Sequence, residues 1–337
     1  MTQLMDRGIE GQSQRIPVSI AVVVPLYNKR PHIADTIDSI LAQSVLPAEI
    51  IVVDDGSTDG SAEIVSLYKQ YNVRLISQEN VGVSAARNRG VELATSVWIA
   101  FLDADDLWLP NHIEALLRVV QAFPDVGLVS TQYEILQDGI RLSPRYAYSR
   151  GAVCKVDDFY RRLAIGHSLV NSSTACARRD ALISVGGFPV GIQIGEDIIV
   201  WIKLFEQLGM AHIGEVSSVL LRDAVNRSTS VTSVMPGSLT FLGQMLVQGG
   251  AVHRARQKSM AFLFDRMACV TAAGRQLQGD MATVRKIRLA CWQYNRVMAW
   301  LAISFLGIIP MWGLRLARRW RHATSGAGCA ARSQSGS

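Results

Sequence analysis

Residues 49–61, EIIVVDDGSTDGS, join an apolar, β-branched run directly to two aspartates and a turn rich in Gly and Ser. A short apolar run that ends in turn residues is typical of a strand buried on both faces. Ile64, Val65 and Tyr68, which follow the turn, share one face of a helix. The stretch therefore predicts a strand, a tight turn and a helix in succession.

The same strand–helix unit occurs on both sides of this stretch. Upstream, VSIAVVV at 18–24 precedes a helical pattern at 32–44, and downstream a strand at 73–77 precedes a helix at 83–94. A further strand in SVWIAFLDADD, residues 96–106, ends in carboxylates. Repeated units with right-handed crossovers predict an α/β fold with a Rossmann-like, doubly wound sheet. Ligands of such a sheet bind at the carboxyl ends of its strands.

The second half of the chain continues the alternation of strands and helices, although residues 137–149 receive no assignment. The patterns predict a helix at 111–124, a strand at 126–136, a strand and short helix within 172–188, and a helix at 195–209 whose Ile198, Ile202 and Phe205 face the sheet. We expect five segments: a flexible tail at 1–16, a domain at 17–237 with halves 17–110 and 111–237, a helical membrane-associating region at 238–322, and a disordered tail at 323–337.

Charge is distributed unevenly along the chain. The net charge is +6, and residues 241–337 carry 14 Lys and Arg against 2 Asp and Glu. Because these basic residues alternate with apolar runs, they favour contact with an anionic membrane surface over contact with nucleic acid. The first sixteen residues lack the apolar stretch of a secretory signal, so we expect the chain to work at the cytoplasmic face of the cell membrane.

The cysteines do not indicate a metal site. Cys154, Cys176, Cys269, Cys291 and Cys329 are isolated, with no C-x-x-C pair and no His at metal-ligand spacing. We expect them to be reduced thiols that are mostly buried.

Residues 297–314 are eighteen consecutive residues without a charge. As a helix they would reach about 27 Å, which is just enough to cross the hydrocarbon core of a bilayer. Gly307 and Pro310 favour a bent helix that lies in the plane of the membrane. Both arrangements, a membrane span and an interfacial helix, are consistent with the sequence.

Asp103, Asp105 and Asp106 follow the strand at 96–102 directly. In an extended chain Asp103 and Asp105 point to the same side, where they can hold a hard divalent cation together with phosphate oxygens of a ligand. The alternative is a polar turn that caps the next helix. Their position at the carboxyl end of a sheet strand favours the cation site.

Two other strand ends carry candidate ligand contacts. Asp55 can accept a hydrogen bond from the imide N–H of a uracil or thymine ring, although Asp54 to Ser57 also reads as a turn with Ser57 or Thr58 capping the next helix. Pro25 and Leu26 end the first strand, and Tyr27 after them can pack against a base.

Glu196 and Asp197 lie in the first turn of the predicted helix at 195–209. Carboxylates at this place are stabilised by the helix dipole, so a simple capping pair is one interpretation. The other is that one of them removes a proton from a hydroxyl group docked against it.

Taken together, VVVPLYNK, SILAQS, IIVVDDGSTDGS, QENVGVSAARNRGVELA, WIAFLDADD, VGGF and GED, in this order, resemble the family 2 glycosyltransferases, which have the GT-A fold. The resemblance covers roughly residues 17–230. It implies a mixed sheet and an inverting transfer by direct displacement, usually with Mg²⁺ or Mn²⁺ and commonly from a UDP- or dTDP-sugar.

The resemblance also implies roles for individual residues. Asp105 matches the metal ligand, Asp197 the general base that deprotonates the acceptor, and Glu196 its neighbour on the acceptor side. Arg87 matches a recurring arginine that either contacts phosphate or packs the helix. The nucleotide-binding set that the resemblance implies is Pro25, Leu26, Tyr27, Asp55, Arg87, Asp103 and Ala104.

The sequence departs from the family pattern in two places. A Tyr-Arg-x-His segment near the end of the domain becomes Leu221-Arg222-Asp223-Ala224, which puts any role of its His in doubt. Residues 293–297 lack the Trp of the Q-x-x-R-W motif of processive synthases. The missing Trp, together with at most one membrane span, favours a non-processive enzyme that adds one sugar. The hydrophobic, basic C-terminal region favours a lipid-linked or envelope polysaccharide acceptor.

Two alternatives stay open at this point. One is a non-catalytic sugar-nucleotide-binding or assembly subunit on the same fold. The other is a nucleotidyltransferase, but its usual Gly-rich loop after the first strand is replaced here by PLYNKR at 25–30.

Overall fold

A computed structural model of the chain describes residues 18–166, 169–223, 234–249 and 251–306. The first half alternates strands and helices as predicted. Its elements are β1 (Ile20–Leu26), α1 (Ile33–Leu41), β2 (Glu49–Asp54), α2 (Ser61–Ser66), β3 (Val73–Ser77), α3 (Val83–Leu93), β4 (Trp98–Phe101), β5 (Leu107–Trp108) and α4 (His112–Ala122).

The second half completes the sheet and then becomes helical. Its elements are β6 (Leu128–Gln137), β7 (Ile140–Leu142), β8 (Val153–Lys155), α5 (Phe159–Ala164), β9 (Ala175–Arg178), α6 (Arg179–Ser184), α7 (Glu196–Leu208), β10 (Met210–Leu221), α8 (Gly237–Gln248), α9 (Ala251–Leu277), α10 (Met281–Gln293) and α11 (Val297–Leu306).

The strands form one mixed sheet in the order β3-β2-β1-β4-β9-β6-β10-β5. The chain starts at β1, moves outward to β2 and β3, and returns to β4 on the other side of β1, so the predicted doubly wound arrangement is confirmed. Strand β9 runs antiparallel to both β4 and β6, which makes the sheet mixed. The carboxyl ends of β1, β2 and β4 therefore meet at one edge of the sheet.

Alternate residues of the central strands supply two cores, one on each face of the sheet. All seven residues of β1 are buried, with Val23 in one core and Val22 and Val24 in the other. This is why β1 reads as a continuous apolar run instead of an alternating one. Helices α1 and α4 cover one face, and α3 and α7 cover the other.

Helices α8 to α11 pack on the same face as α7. Leu239, Phe264, Ile287 and Ile303, one from each helix, belong to the same buried core as Val23 of the sheet. The chain is helical from Gly237, close to the expected position 238, and the described part of this region shares the core of the preceding domain.

Several elements were not predicted. The sequence patterns predict none of β7, β8, α5 and the twelve-residue strand β10. In α7, Ile202 and Phe205 are buried as expected, and Ile198 is partly buried and packs against the same core. The helix begins at Glu196, one residue later than predicted.

Among the residues that the structure describes, no helix combines the length and hydropathy that a membrane crossing requires. Helix α11 covers the start of the predicted span at 297–314, and positions 307–314 lie outside the described residues, as do the tails at 1–16 and 323–337. The four described cysteines, Cys154, Cys176, Cys269 and Cys291, form no disulfide, as expected.

Candidate functional site

The end of β1 presents an exposed aromatic ring beside the end of β2. Pro25 and Leu26 are buried within the strand, whereas Tyr27, the next residue, is 45% exposed. Asn28 follows in a left-handed conformation, its N–H donates to Ser57 Oγ at 3.0 Å, and its Oδ1 accepts from the N–H of Thr58 at 2.8 Å. The loops after β1 and β2 are thus joined side by side.

The two aspartates at the end of β2 have different tasks. Asp54 Oδ1 accepts the N–H of Ser57 at 3.0 Å and closes the turn. Asp55 accepts three hydrogen bonds from the loop before α3, from Gln78 Nε2 at 2.8 Å, Val81 N at 3.0 Å and Gly82 N at 2.8 Å. A carboxylate has about four acceptor positions, so Asp55 can take one more donor.

The predicted capping by Ser57 or Thr58 is wrong. Helix α2 begins at Ser61, four and three residues further along the chain, and its flanking residue Gly60 provides no side chain. The Ser57 hydroxyl instead accepts the N–H of Asn28. The turn is closed by Asp54, which leaves Asp55 on the other side of the strand end.

The Asp103–Asp106 loop follows β4 at the same edge. Lys29 Nζ lies 2.7 Å from Asp105 Oδ2, and both side chains are largely buried. Asp106 accepts from Ser173 Oγ at 2.6 Å and from the N–H of Leu221 at 3.0 Å, which holds the loop against the start of β9 and the end of β10. Helix α4 begins at His112, so these aspartates do not cap it.

Arg87 joins the loop after β4 to the start of α7. Its Nη2 lies 2.8 Å from Asp103 Oδ1 and its Nη1 lies 2.9 Å from Glu196 Oε1. The guanidinium is also 5.2 Å from the centre of the Phe188 ring, and the residue is 3% exposed. The sequence left two roles open for Arg87, contact with phosphate and packing of the helix. These contacts favour packing within the protein.

Glu196 and Asp197 occupy the first turn of α7, as predicted. Gly195 precedes the helix in a left-handed conformation, with φ at +80°, and Ser238 of α8 leaves no space for a side chain there. Asp197 Oδ1 accepts the N–H of Ile198 at 2.7 Å. The two carboxylates are therefore positioned by a tight turn at Gly195 that packs against α8.

Burial, and after it the neighbouring charge of Glu196, raise the pKa of Asp197 to about 6, although Arg87 and the N–H of Ile198 oppose the rise. By accessible surface the Asp197 side chain is partly buried. An aspartate with a raised pKa is a stronger base than an ordinary one and is still ionised at neutral pH.

The residues of the Asp103–Asp106 loop fit a divalent cation in charge and in chemistry. Burial, and after it the charges of Asp103 and Asp105, raise the pKa of Asp106 to about 8. Carboxylate oxygens suit Mg²⁺ and Mn²⁺, which commonly use one or two of them and take phosphate oxygens for the remaining positions. Within the described ranges, no group of three or more His, Cys, Asp or Glu side chains is arranged to hold a metal ion.

Three contributors to this site were missed by the sequence analysis. Lys29 was read only as part of a loop, although its place at the carboxyl end of β1 is the signal that could have found it. Ser173 and Leu221 carry no such signal, because they contact Asp106 from the turn before β9 and from the end of β10. Arg222, the retained residue of the altered segment, is exposed directly after Leu221.

Comparison with known proteins agrees with this architecture. The family model described as Glycosyl transferase family 2 matches residues 21–186. An uncharacterized glycosyltransferase of Escherichia coli K12, YibD, is 43% identical over 102 residues, which are 30% of this chain and 30% of that protein. The putative teichuronic acid biosynthesis glycosyltransferase TuaG of Bacillus subtilis 168 is 41% identical over 127 residues, 36% of this chain and 50% of that protein. The matches thus span half or less of these relatives.

A solved structure shares the fold over most of the chain. Residues 1–349 of TarS from S. aureus, in complex with UDP-GlcNAc, superpose with a TM-score of 0.66 at 17% identity, covering 81% of each chain. At this identity the likeness shows the fold alone. The chain therefore carries a family 2 glycosyltransferase domain at residues 21–186 and has the GT-A fold.

Proposed function

We propose that the chain is an inverting glycosyltransferase that transfers a single sugar from a nucleoside diphosphate sugar to a hydroxyl group. One observation carries the proposal. Arg87 connects Asp103, on the side of the donor, with Glu196, on the side of the acceptor, so that the carboxylates of both functions meet at one edge of the sheet.

Tyr27 and Asp55 support a uracil or thymine base in the donor. The exposed Tyr27 ring can stack on the base, and the remaining acceptor position of Asp55 suits the imide N–H of either pyrimidine. Guanine and cytosine differ from them in their donors and acceptors. We therefore favour a UDP- or dTDP-sugar.

Asp105, with Asp103 beside it, would hold Mg²⁺ or Mn²⁺. When bound, such an ion supplies positive charge to the diphosphate leaving group. Lys29 and Arg87 are the cations that the chain itself places next to these two aspartates, and they keep the carboxylates in place. Their donors thus organise the loop that receives the diphosphate.

Asp197 is the proposed general base. The acceptor oxygen attacks the anomeric carbon from the face opposite to the diphosphate, and its proton passes to the Asp197 carboxylate. The bond between the anomeric carbon and the diphosphate oxygen breaks, and the diphosphate leaves with the electron pair. A single displacement of this kind inverts the configuration at the anomeric carbon.

We further propose that the acceptor is a lipid-linked or envelope polysaccharide intermediate at the cytoplasmic face of the cell membrane. Support comes from the basic and apolar character of residues 241–337 and from the name of the relative TuaG, which refers to teichuronic acid biosynthesis. The missing Q-x-x-R-W motif favours one addition over processive polymerisation.

Calorimetric titration tests the donor site without knowledge of the acceptor. We expect UDP or dTDP, but not GDP, to bind in the presence of Mn²⁺ and to bind much more weakly without it. Asp105→Asn should abolish the dependence on Mn²⁺, whereas Asp125→Asn, a matched change at an exposed aspartate after α4, should leave it intact. A folded protein that binds none of the three nucleotides would contradict the proposal.

A further inference from the structure

Helix α11 is apolar on every side but buries little of its surface. Its sequence, VMAWLAISFL, contains no charged residue, and among its described side chains only Ala299 and Ile303 are buried. Met298 is 74% exposed and Phe305 is 62% exposed. A helix that is hydrophobic all round is normally enclosed by protein or by lipid. The described residues leave part of this apolar helix uncovered by protein.

Helix α10 extends this apolar surface. Leu289 is 66% exposed and Trp292, one turn later, is 62% exposed. The Trp292 ring lies 5.7 Å from the ring of Trp300 on α11, so the exposed side chains of the two helices are continuous. We define the α10–α11 face as Leu289, Trp292, Val297, Met298, Trp300 and Phe305.

Basic residues border the α10–α11 face. Arg285, Lys286 and Arg288 are exposed on α10, and the guanidinium of Arg288 lies 5.9 Å from the centre of the Trp300 ring. Helices α10 and α11 contain no Asp or Glu. Tryptophan beside Arg and Lys is the composition of segments that lie at the boundary between lipid headgroups and acyl chains.

We propose that the α10–α11 face lies in the surface of an anionic lipid bilayer, with its apolar side chains among the acyl chains and its basic groups at the phosphates. The charge of the surface selects lipid as the occupant, because a second copy would bring the same three cations into contact with one another. The proposal deepens the acceptor part of the proposed function and rests on it for its biological meaning. Its physical test is independent of sugar transfer.

Sedimentation of the full chain with vesicles tests the proposal. We expect binding to vesicles of phosphatidylcholine with phosphatidylglycerol, and much weaker binding to phosphatidylcholine alone. Arg285→Gln with Lys286→Gln and Arg288→Gln should lower the affinity for the anionic vesicles by about a hundredfold, on the order of fivefold for each charge. Added salt should weaken the wild type in the same direction.

Substitution of the apolar side chains is the second arm. Leu289→Ser with Trp292→Ser and Met298→Ser should reduce binding to vesicles by at least tenfold. The control variant is Leu67→Ser with Arg89→Gln, which changes an exposed leucine and an exposed arginine in the first half of the chain. This control should bind to vesicles as the wild type does. Far-UV circular dichroism checks that every variant is folded.

Three outcomes would overturn the proposal. The wild type could fail to bind either kind of vesicle, or the α10–α11 variants could bind as tightly as the wild type. Light scattering could instead show a dimer that the apolar variant converts to a monomer, without vesicle binding by either. Titration of UDP with Mn²⁺ into the same samples reports the donor site alone, so a failure of membrane binding and a failure of the proposed transfer give different results.

Discussion

The Arg87 guanidinium neutralises charge on both sides of the proposed reaction centre. It contacts Asp103 and Glu196, and these charges raise the pKa of Arg87. It also opposes the rise in the pKa of Asp197 that burial and Glu196 cause. The protonation of the proposed base therefore depends on an arginine from α3, in the half of the domain that we propose to bind the nucleotide.

We predict that the rate of transfer falls on the acid side with an apparent pKa of about 6. Below this pH the Asp197 carboxylate is protonated in the folded protein and cannot accept the proton of the acceptor. A profile of kcat/KM between pH 4.5 and 8 measures this fall on the acid side. A fall near the ordinary aspartate value, with full activity at pH 5, would contradict the assignment.

Asp197→Asn should lower the activity of the protein while raising its stability at alkaline pH. We expect transfer to fall by about 10²- to 10⁴-fold while UDP still binds. Because the pKa is raised in the folded state, the folded protein holds this proton more tightly than the unfolded chain, and the ionised form costs stability above the folded pKa.

The neutral variant should therefore be more stable than the wild type at pH 8 by about 1 kcal/mol, after allowance for the partial exposure of the side chain. The difference should be much smaller at pH 4, where Asp197 is neutral in the folded protein and about half ionised in the unfolded chain. Urea unfolding at the two pH values measures it. Equal stability of wild type and variant at pH 8 would show that Asp197 has an ordinary pKa.

Asn88, beside Arg87, fixes the chain just before the proposed base. Its Nδ2 donates to the Phe188 carbonyl and its Oδ1 accepts the N–H of Phe188, both at 2.8 Å. We predict that Asn88→Ala lowers kcat by about ten- to a hundredfold through misplacement of Glu196 and Asp197, with little change in UDP affinity. Arg89→Ala, at the exposed neighbouring position, is the control. Loss of UDP binding equal to the loss of kcat would argue against a positioning role.

At the scale of residues, the sequence predicted the candidate site residues that follow strands directly, but it did not predict the side chains that contact them. Asp55, Asp103 and Asp105 follow apolar runs directly, so the strand pattern itself placed them at the ligand edge. The contact between Lys29 and Asp105 joins residues 76 positions apart. No spacing rule predicts it, because it depends on the order of the strands.

At the scale of elements, α3 packs on β1 through a residue without a side chain. A Cβ atom at Gly90 would lie 2.3 Å from Val23 Cγ1, and Val23 is fully buried. We predict that Gly90→Ala destabilises the protein by about 1–3 kcal/mol. Gly274→Ala in α9, where a Cβ would meet nothing within 4 Å, should be neutral or stabilising by up to about 1 kcal/mol. Midpoints of urea unfolding compare the two, and equal midpoints would show that α3 can move away from the sheet.

Strand β10 shows why one long element of the second half was not predicted. It pairs with β6 over most of its length, but the register shifts between His212 and Val216 and again between Val216 and Ser218. Irregularities of this kind break the alternation of apolar and polar residues that marks a strand. The strand also contains three buried polar residues, His212, Ser217 and Ser218, so its sequence resembles that of a polar loop.

At the scale of the whole molecule, the helices from α8 onward complete the core of the domain. Leu242, Phe264 and Ile287 pack into the same core as the central strands, and the N–H of Gly237 donates to the carbonyl of Ile194, just before the proposed base. A chain that ends at residue 249 would therefore expose the face of the domain that α9 and α10 cover.

We predict that this truncated chain shows no cooperative thermal transition, because it loses most of one side of its core. A chain that ends at residue 306 keeps all the described helices and should melt within about 2–4 °C of the full protein, the shift that about 1 kcal/mol produces at this size. Scanning calorimetry of both makes the comparison. A normal transition in the shorter chain would mean that the helices are an appendage.

The bridge from Arg87 to Glu196 sets a rule for recombining this protein with its relatives. A chimera can take its proposed donor-binding half from one parent and its proposed acceptor half from another. Residues 87 and 196 then come from different parents, although the ion pair requires an arginine at one position and a glutamate at the other. A mismatch would leave a buried charge without a partner and would disturb both halves at once. Libraries of such chimeras should therefore inherit these two positions as a unit, wherever the crossover is placed.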